Sequence, residues 1–564
     1  MNKSNDGKQS ELFAGLQNYF PALSEFHAEL LQQRAESESL VKAESESEQE
    51  VFLTVGNRAE LVDGTQNYQW TCFVTGQCAR DLTLLRSVEF HLHRTFSPSS
   101  VLVTQPPFEL TRRGWGTFTI NIVVTDVQGN VYRFAHELCF DGNPSRVHRV
   151  VIPGSSPNKP ARISARISAR ISSPNSSAQR MTDVSEIGMH GSAGVGQGWA
   201  APLLVTYCDT EARPGYQTMQ AHEYRDDPAT FNAKIKTLAA LIRKSQHFVA
   251  YTGAGISTAS GIDDYASKSK QSVATGQNAK YRVKKKSGLD AQPTFAHFTL
   301  VALYTAGFLK HWVQQNHDGL PQKAGFPQEL INEIHGAWFD PSNPVVPMSG
   351  TLRTDLMEWM EREEKAADLV LAMGSSLCGM NADRMVETPS KRAARGRALG
   401  AVIVGFQRTQ MDEGSKLRLF ANIDETMLAL ALELALPVAL QPYSCPPISI
   451  LGRPHTYLVP YNTTDGKGMK ASEQVLNLAV GSRLILTGGP GAGFKGVVRY
   501  VPDGKNRDSY SVEFPCTREG EGLGKKNNLY ALGMWMIEAA VKGTLRQLPV
   551  TNLIETSPSA NDDD

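Results

Sequence analysis

Three changes of hydrophobic pattern predict a multidomain chain: an antiparallel β-sandwich, a doubly wound α/β domain and a small, β-barrel-like end. Between 51 and 152, short alternating runs are separated by Gly, Asn, Asp and Pro. Between 216 and 440, short apolar runs finish in glycine or polar residues, as parallel strands covered on both faces do. After 446, short alternating runs return, with Gly, Pro and Asp turns between them.

The totals agree with that division. A chain of 564 residues is long enough for three or four domains, each with its own core. Lys+Arg and Asp+Glu are both 57, so no net charge draws the whole chain to nucleic acid, and no nucleic-acid site is evident. The charge is nevertheless uneven. Residues 1–50 carry ten acidic and four basic side chains, whereas 268–286 carry seven basic and none acidic. The seven cysteines are scattered, odd in number and never spaced CxxC, which predicts a reducing compartment and no Cys-based zinc site. The first residues lack the apolar core of a signal peptide, and no 18-residue apolar run exists, so we expect a soluble, intracellular protein with no membrane partner.

In chain order, residues 1–50 read as a polar, acidic tail, with a helix possible over 11–33 and too few apolar residues beyond it to bury. From 51 to 152 the runs VFLTV, YQWTCFVTG, VEFHLH, GTFTINIVVTDV and YRFAHELCF predict five or more strands. Two places are unusual for plain sandwich strands. His91-Leu92-His93-Arg94-Thr95-Phe96 sets histidines and an aromatic at a strand end, and Gly114-Trp115-Gly116 sets a bulky ring between glycines after Pro106-Pro107-Phe108. This trio of motifs resembles the YEATS domain, an acyl-lysine reader of immunoglobulin-like fold. The resemblance implies an acyl-amide sandwiched between Phe96 and Trp115, with Thr95 as hydroxyl and His93, Gly114 and Gly116 shaping the channel. Aromatic faces favour such stacking by about 0.5–1.5 kcal/mol. The alternative is that both rings are simply core.

Residues 153–215 read as a flexible, mildly basic linker holding three tandem Ala-Arg-Ile-Ser repeats at 161–172. The α/β domain is expected over 216–440, beginning with a helix over Phe231–Ser245 and the strand Phe248–Tyr251. That strand runs into Thr252-Gly253-Ala254-Gly255-Ile256-Ser257, where a glycine turn and the start of a helix present backbone N–H groups to a pyrophosphate. The spacing G-A-G-x-S is not the generic dinucleotide fingerprint, and by itself a tight turn explains it equally well. We expect Gly253 and Gly255 to be glycine because a Cβ would keep a diphosphate from the backbone. The basic stretch 268–286 reads as a mobile solvated loop, or else as an import signal or anion clamp.

Further runs at 308–314, 367–373 and 399–404 end in Gln315-Asn316-His317-Asp318-Gly319-Leu320, Gly374-Ser375-Ser376-Leu377 and Gly405-Phe406-Gln407. With Ser260-Gly261-Ile262-Asp263-Asp264-Tyr265, Glu333-Ile334-His335-Gly336 and Asp424-Glu425-Thr426-Met427, this order resembles the sirtuins, NAD-dependent protein deacylases with a Rossmann-like domain. The resemblance implies His335 as general base on the ribose hydroxyls, a role suited to an imidazole titrating near neutrality. It implies Asn316 and Asp318 orienting the nicotinamide-side ribose and carboxamide, and Gln315 beside the ribose. Asp264 and Tyr265 would border the nicotinamide pocket. Gly253, Ala254, Gly255, Ser257, Gly374, Ser375 and Ser376 would hold the diphosphate, with Gln407 at the adenosine ribose and Ile423 at the adenine. The cofactor is then NAD, and the products are nicotinamide, free lysine and O-acyl-ADP-ribose.

Two departures bear on this. Sirtuins carry two CxxC pairs after the HG, whereas Ala337 to Ser349 (AWFDPSNPVVPMS) has no cysteine, so a zinc-independent domain is expected. Ala266 stands where the family has an arginine near the nicotinamide-side ribose, which favours slower deacylation, ADP-ribosyl transfer or NAD hydrolysis. Residues 446–556 read as a small β-rich domain with a flexible Gly488–Gly493 hairpin, and 557–564 as a disordered tail. The reading is a deacylase tethered to an acyl-lysine reader, acting on acylated proteins or peptides, histones among them, in the nucleus or cytoplasm. Two alternatives stay open: an ADP-ribosyltransferase or NAD hydrolase, and a non-catalytic adaptor that senses NAD.

Overall fold

The computed structural model describes residues 13–553, apart from 14, 46–48, 63–66, 77–78, 128, 141–144, 153–184, 217–218, 285–287, 348–349, 445–452, 460–473, 504–507, 515–527 and 546–547. The Ala-Arg-Ile-Ser repeats and the tail 557–564 therefore lie outside the described residues. The chain forms two compact units, one of residues 30–172 and one of residues 1–29 with 173–564.

The first holds eight strands: β1 (Gln49–Leu61), β2 (Tyr68–Gly76), β3 (Leu85–His91), β4 (Ser100–Val103), β5 (Phe108–Gly114), β6 (Thr119–Asp126), β7 (Val131–Glu137) and β8 (Ser145–Ile152). They make two four-stranded antiparallel sheets, ordered β5-β2-β1-β8 and β4-β3-β6-β7. Strand alternation sends Trp70, Cys72 and Val74 of β2 and Ile120, Ile122 and Val124 of β6 into one core. Three of these strands escaped the sequence pattern. β4 is only four residues long, and in β5 the arginines at 112 and 113 mask the inward pair Phe108 and Leu110. In β8 two arginines and a histidine interrupt the apolar run.

In the second unit, part of the expected tail is docked. Helices Leu16–Tyr19 and Pro21–Ser45 begin with Phe13 and Phe20 edge-on to Phe295 (ring centroids 5.8 and 5.9 Å) and Phe26 edge-on to Phe231 (6.3 Å). The last part of the expected linker is also folded. A helix (Glu186–His190), strand β9 (Leu203–Thr206) and strand β10 (Glu223–Arg225), antiparallel to β9, precede the main sheet.

That sheet contains β11 (Phe248–Thr252), β12 (Leu309–Gln314), β13 (Ile331–Glu333), β14 (Leu369–Met373), β15 (Gly400–Val404) and β16 (Leu417–Leu419). All neighbours are parallel, in the order β13-β12-β11-β14-β15-β16. Every residue of β11, β14 and β15 is buried, as a sheet covered on both faces requires. Helices Thr354–Ala366 and Arg384–Ala393 cover one face through Met360, Met385 and Val386. Helices Pro228–Lys244, Phe295–Thr305 and Ile423–Leu434 pack on one another. Asp227 caps the first of these three, accepting from the Ala229 and Thr230 amides (3.0 and 3.2 Å), with Pro228 at the first position. Strand order reverses between β11 and β14, which opens a crevice at their carboxyl ends.

The described part of the basic stretch is held rather than loose. Ser272 donates to buried Glu223 (2.6 Å), Tyr281 donates to Glu425 (2.5 Å), and Arg282 pairs with Asp263. Beyond 440, β17 (Thr456–Val459) pairs with β18 (Gln474–Asn477). β19 (Arg483–Leu486), β20 (Lys495–Tyr500), β21 (Ser509–Glu513), β22 (Leu529–Gly533) and β23 (Val550–Asn552) form a sheet ordered β22-β21-β20-β19-β23. Their core takes in Ala337 and Phe339 from the segment after β13. Among the described residues no helix is long and apolar enough to cross a membrane.

Candidate functional site

The site is built where β11 and β14 end side by side. The Gly253 amide donates to the Met373 carbonyl (3.0 Å) and the Gly255 amide to the Gly374 carbonyl (2.9 Å), so the two turns are stitched together. A Cβ on Gly255 would lie 2.6 Å from Gly374 Cα, and one on Gly253 would lie 2.7 Å from the Gly374 oxygen. This changes the reason for the glycines. They are required by the other turn, before any ligand is considered. Gly374 itself has φ +65°, the left-handed region that glycine enters without strain. The expected helix after Gly253 is a 3-10 turn, Ala254–Ser260, ended by Gly261 at φ +85°.

Behind the turn lies a buried polar relay. Ser257 donates to Asp318 (Oγ to Oδ2 2.7 Å), and Asn316 Nδ2 donates to Ser257 Oγ and to the Gly253 carbonyl, both at 3.1 Å. Asp318 also accepts from the Leu320 amide at 3.1 Å. Burial raises the Asp318 carboxyl above the ordinary aspartate value, and the Ser257 hydroxyl and Leu320 amide oppose that shift.

In front is a cavity of about 400 Å³, a size suited to a cofactor. Ala254, Gly255, Asp264, Tyr265, Gln315, Asn316, His335, Gly374, Ser375, Ser376, Gln407 and Ile423 line it. Gly253, Ser257 and Asp318 stand behind that lining and shape it. His335 leaves β13 on the segment after Glu333, and its carbonyl accepts from the Val346 amide (3.0 Å). Burial first, then His317 and Arg213, lower its imidazole to about 4, against a hydrogen bond with the Gln315 backbone. The imidazole is therefore neutral throughout the physiological range, rather than titrating near neutrality as the sequence suggested. Gln407 Nε2 donates to the Ala266 carbonyl (2.9 Å), so the β15 end also fixes the segment that follows Asp264. Among the described residues no group of three or more His, Cys, Asp or Glu side chains could hold a metal ion.

In the other unit, Phe96 packs edge-on against Trp70 (5.9 Å) and tilted on Phe118 (5.5 Å). A Cβ on Gly114 would meet Phe96 Cζ at 3.4 Å. His93 Nδ1 lies 3.0 Å from Thr95 Oγ1. Trp115, just past β5, is 78% exposed, and a Cβ on Gly116 would meet nothing within 4 Å. Thus Phe96 is packed against the sandwich core, whereas Trp115 stands in solvent.

Residues 65–142 match the family model described as the YEATS family. The NAD-dependent protein deacetylase sirtuin-7 of Homo sapiens is 29% identical over 268 residues, which cover 40% of this chain and 66% of that protein. The NAD-dependent protein deacetylase SRT1 of Arabidopsis thaliana is 30% identical over 243 residues, covering 36% of this chain and 50% of that protein. The chain is thus similar to sirtuins over one segment and matches the YEATS family model over another. It spans just under two thirds of the length of the human relative and half of the plant one. A solved structure described as "Structural Basis for the Mechanism and Regulation of Sir2 Enzymes" is 23% identical, with a TM-score of 0.30 over 36% of this chain and 98% of its own.

Sequence reasoning missed five contributors to the cavity. His317 lines it, its Nδ1–H donating to the Gly336 carbonyl (2.7 Å), and burial lowers the pKa of its imidazole. Its signal was available: a histidine stands between Asn316 and Asp318 in the motif that follows β12. Val346 and Pro347 close the wall after His335. Arg213 and Tyr216 enter from the stretch taken for linker and its edge, where no motif announces them.

Proposed function

We propose that the chain is an NAD-dependent protein-lysine deacylase coupled to an acyl-lysine reader. The observation that carries this reading is the crevice at the β11 and β14 ends, where two interlocked glycine turns and a neutral imidazole line one cavity of cofactor size. The residues present fit NAD. Beside the interlocked turns of Gly255 and Gly374, Ser375 and Ser376 would face the diphosphate, Gln407 and Ile423 the adenosine, and Asn316 with its Ser257–Asp318 relay the nicotinamide side. When bound, NAD supplies the ADP-ribose that accepts the acyl group as nicotinamide leaves. With NAD bound, His335, whose imidazole burial keeps neutral, would be the group to take a proton from a ribose hydroxyl.

For the YEATS segment we infer an immunoglobulin-like sandwich that holds an acylated lysine between Phe96 and Trp115, with Thr95 oriented by His93. Histone peptides and a nuclear setting suit such a pairing of reader and deacylase. The strands beyond 440 are read as a small barrel-like domain, and the deacylase as zinc-independent. Incubation of the full chain with NAD and a panel of acylated peptides, scored by mass spectrometry, tests the function. Release of nicotinamide together with O-acyl-ADP-ribose is expected. Free or protein-linked ADP-ribose would establish NAD hydrolysis or ADP-ribosyl transfer instead, the outcome that Ala266 favours. NAD binding with no nicotinamide release would leave the adaptor.

A further inference from the structure

Two buried side chains, Tyr251 of β11 and Asp383, stand behind the cavity wall without lining it. A phenol and a carboxyl taken out of water need hydrogen-bond partners, and both have them. Asp383 Oδ2 accepts from the Gly379 and Met380 amides, each at 2.9 Å, and Oδ1 accepts from the Tyr251 hydroxyl at 2.9 Å. The Tyr251 oxygen in turn accepts from Gln315 Nε2, which also lies 3.4 Å from Asp383 Oδ1. Gln315 is half-buried and lines the cavity, as do Gly379 and Met380. The ends of β11 and β12 and the segment after β14 therefore meet at one carboxyl group.

The direction of this relay follows from what each group can do. Each partner of Asp383 is an N–H or O–H donor, so its carboxylate serves as acceptor. Burial, and then the Asp383 charge, raises the Tyr251 phenol well above its ordinary value, so the hydroxyl keeps its single proton. That proton goes to Asp383, and the Tyr251 oxygen is left to take an N–H of Gln315.

A glutamine amide offers a donor at one end and an acceptor at the other, and the two ends have nearly the same shape. With its nitrogen held by Tyr251, Gln315 must turn its oxygen the other way. Oε1 lies over the interlocked turns: the Ser375 hydroxyl donates to it at 3.4 Å, and a Cβ on Gly253 would lie 3.0 Å from it. The backbone beneath is fixed as well, since the Gln315 amide donates to the Thr252 carbonyl (2.9 Å). A carbonyl oxygen has two lone pairs, so Oε1 keeps one beside that of the Ser375 bond.

We propose that Asp383, acting through Tyr251, is a positioning residue that makes Gln315 present an acceptor to the cavity, where it takes a hydroxyl proton of the dinucleotide's nicotinamide-side ribose. The inference rests on the NAD reading above and deepens it, because the polarity of a ribose contact is then set from behind the wall.

Calorimetric titration of the full chain tests it, on wild type, Y251F, D383N, Q315M and the double variant Y251F/Q315M. The ligands are NAD, ADP and the two NAD analogues that carry fluorine, which cannot donate, in place of one hydroxyl of the nicotinamide-side ribose. Wild type is expected to bind one fluorinated analogue about tenfold more weakly than NAD, equivalent to about 1.4 kcal/mol. Y251F and D383N should lose that preference through weaker NAD binding, with ADP unchanged. The double variant should bind NAD no more weakly than Q315M, a coupling that a merely structural role would not produce. If D383N does not fold, Y251F and its pairing with Q315M decide the matter. Y251F that binds NAD as wild type does, losses that add in the double variant, an equal loss for ADP, or no wild-type preference for NAD over either analogue would overturn the inference and leave the NAD reading intact. Wild type that binds none of the ligands would overturn both.

Discussion

Substituting Gly255→Ala tests whether the interlocked turns are the frame of the site. Gly255 has no positive φ, so alanine is permitted by the backbone, and the only obstacle is the neighbouring turn. The new Cβ would lie 2.6 Å from Gly374 Cα, and ordinary contact begins at 3.4 Å, so the turns must part by about 0.8 Å (3.4 less 2.6). Both sides of that contact are backbone, and no flexible side chain can yield. Overpacking of this kind costs roughly 1–3 kcal/mol. A displacement of the order of 1 Å in a positioning element lowers turnover on the order of a hundredfold. The assay is initial-rate nicotinamide release on an acylated peptide, with a thermal melt of the same preparation. Gly414→Ala is the control, because a Cβ there would meet nothing within 4 Å and its φ is also unremarkable. A Gly255→Ala enzyme that melts lower but turns over within twofold of wild type would refute the idea that this contact sets the active geometry.

His335→Ala should reduce nicotinamide release by roughly 10²–10⁴-fold, the range for a general base, with NAD binding retained in titration. Because burial holds the His335 imidazole near 4, its neutral, proton-accepting form persists as pH falls from 8 to 6, and its contribution is lost only on approach to 4; a pH–rate profile of kcat should therefore show no limb near 6.5. Trp535→Ala should lower the melting temperature and nicotinamide release together, since removing a buried aromatic costs about 3–5 kcal/mol and Trp535 packs edge-on against Phe339 at 5.1 Å; a loss of stability with turnover intact would detach the C-terminal strands from the site. Phe96→Ala should weaken acyl-peptide binding to the YEATS segment by up to about tenfold, while nicotinamide release on short free peptides stays at the wild-type rate.

The main sheet was legible because each strand is a short apolar run ended by glycine or a polar residue, and β11, β12, β14 and β15 fell within two residues of their expected limits. β13 and β16 were not, since three residues carry no period. The cavity lining was legible wherever a motif followed a strand, as at Gln315, Asn316, Gly374 and Gln407. The reasons were less so. Gly255 looked like a residue cleared for a phosphate, yet its first neighbour is Gly374, a contact between segments 119 positions apart that no local pattern records. Likewise His335 suggested a near-neutral titration, whereas its pKa follows from burial, a property of the whole fold. A helix was expected over 11–33, but its docking was hidden because Phe13, Phe20 and Phe26 are spaced among polar residues that give no strong stripe.

The segment after His335 shows why the C-terminal strands belong to the site rather than to an appendage. From 337 to 343 the chain has no regular structure, so its peptide groups must find partners elsewhere. The Trp338 amide donates to the His317 carbonyl (2.9 Å), the Ala337 amide to Asn343 (2.8 Å), and the Phe339 carbonyl accepts from Gly533 at the end of β22 (2.9 Å). Phe339 and Ala337 then lie in the core of the C-terminal strands, and a Cβ on Gly319, next to Asp318, would meet Trp535 at 2.7 Å. Lys323 completes the joint, its wholly buried ammonium 3.0 Å from Asp508 and over the Trp535 ring. An uncompensated buried charge is costly, so Asp508 and Lys323 need each other, and the loop carrying Asn316 and Asp318 is tied to β21. The wall carrying His335 is thus fixed by hydrogen bonds, an aromatic pair and an ion pair from 170 residues or more further along the chain. A cleft wall without regular structure keeps its shape only when such contacts hold it, and here the C-terminal strands supply them.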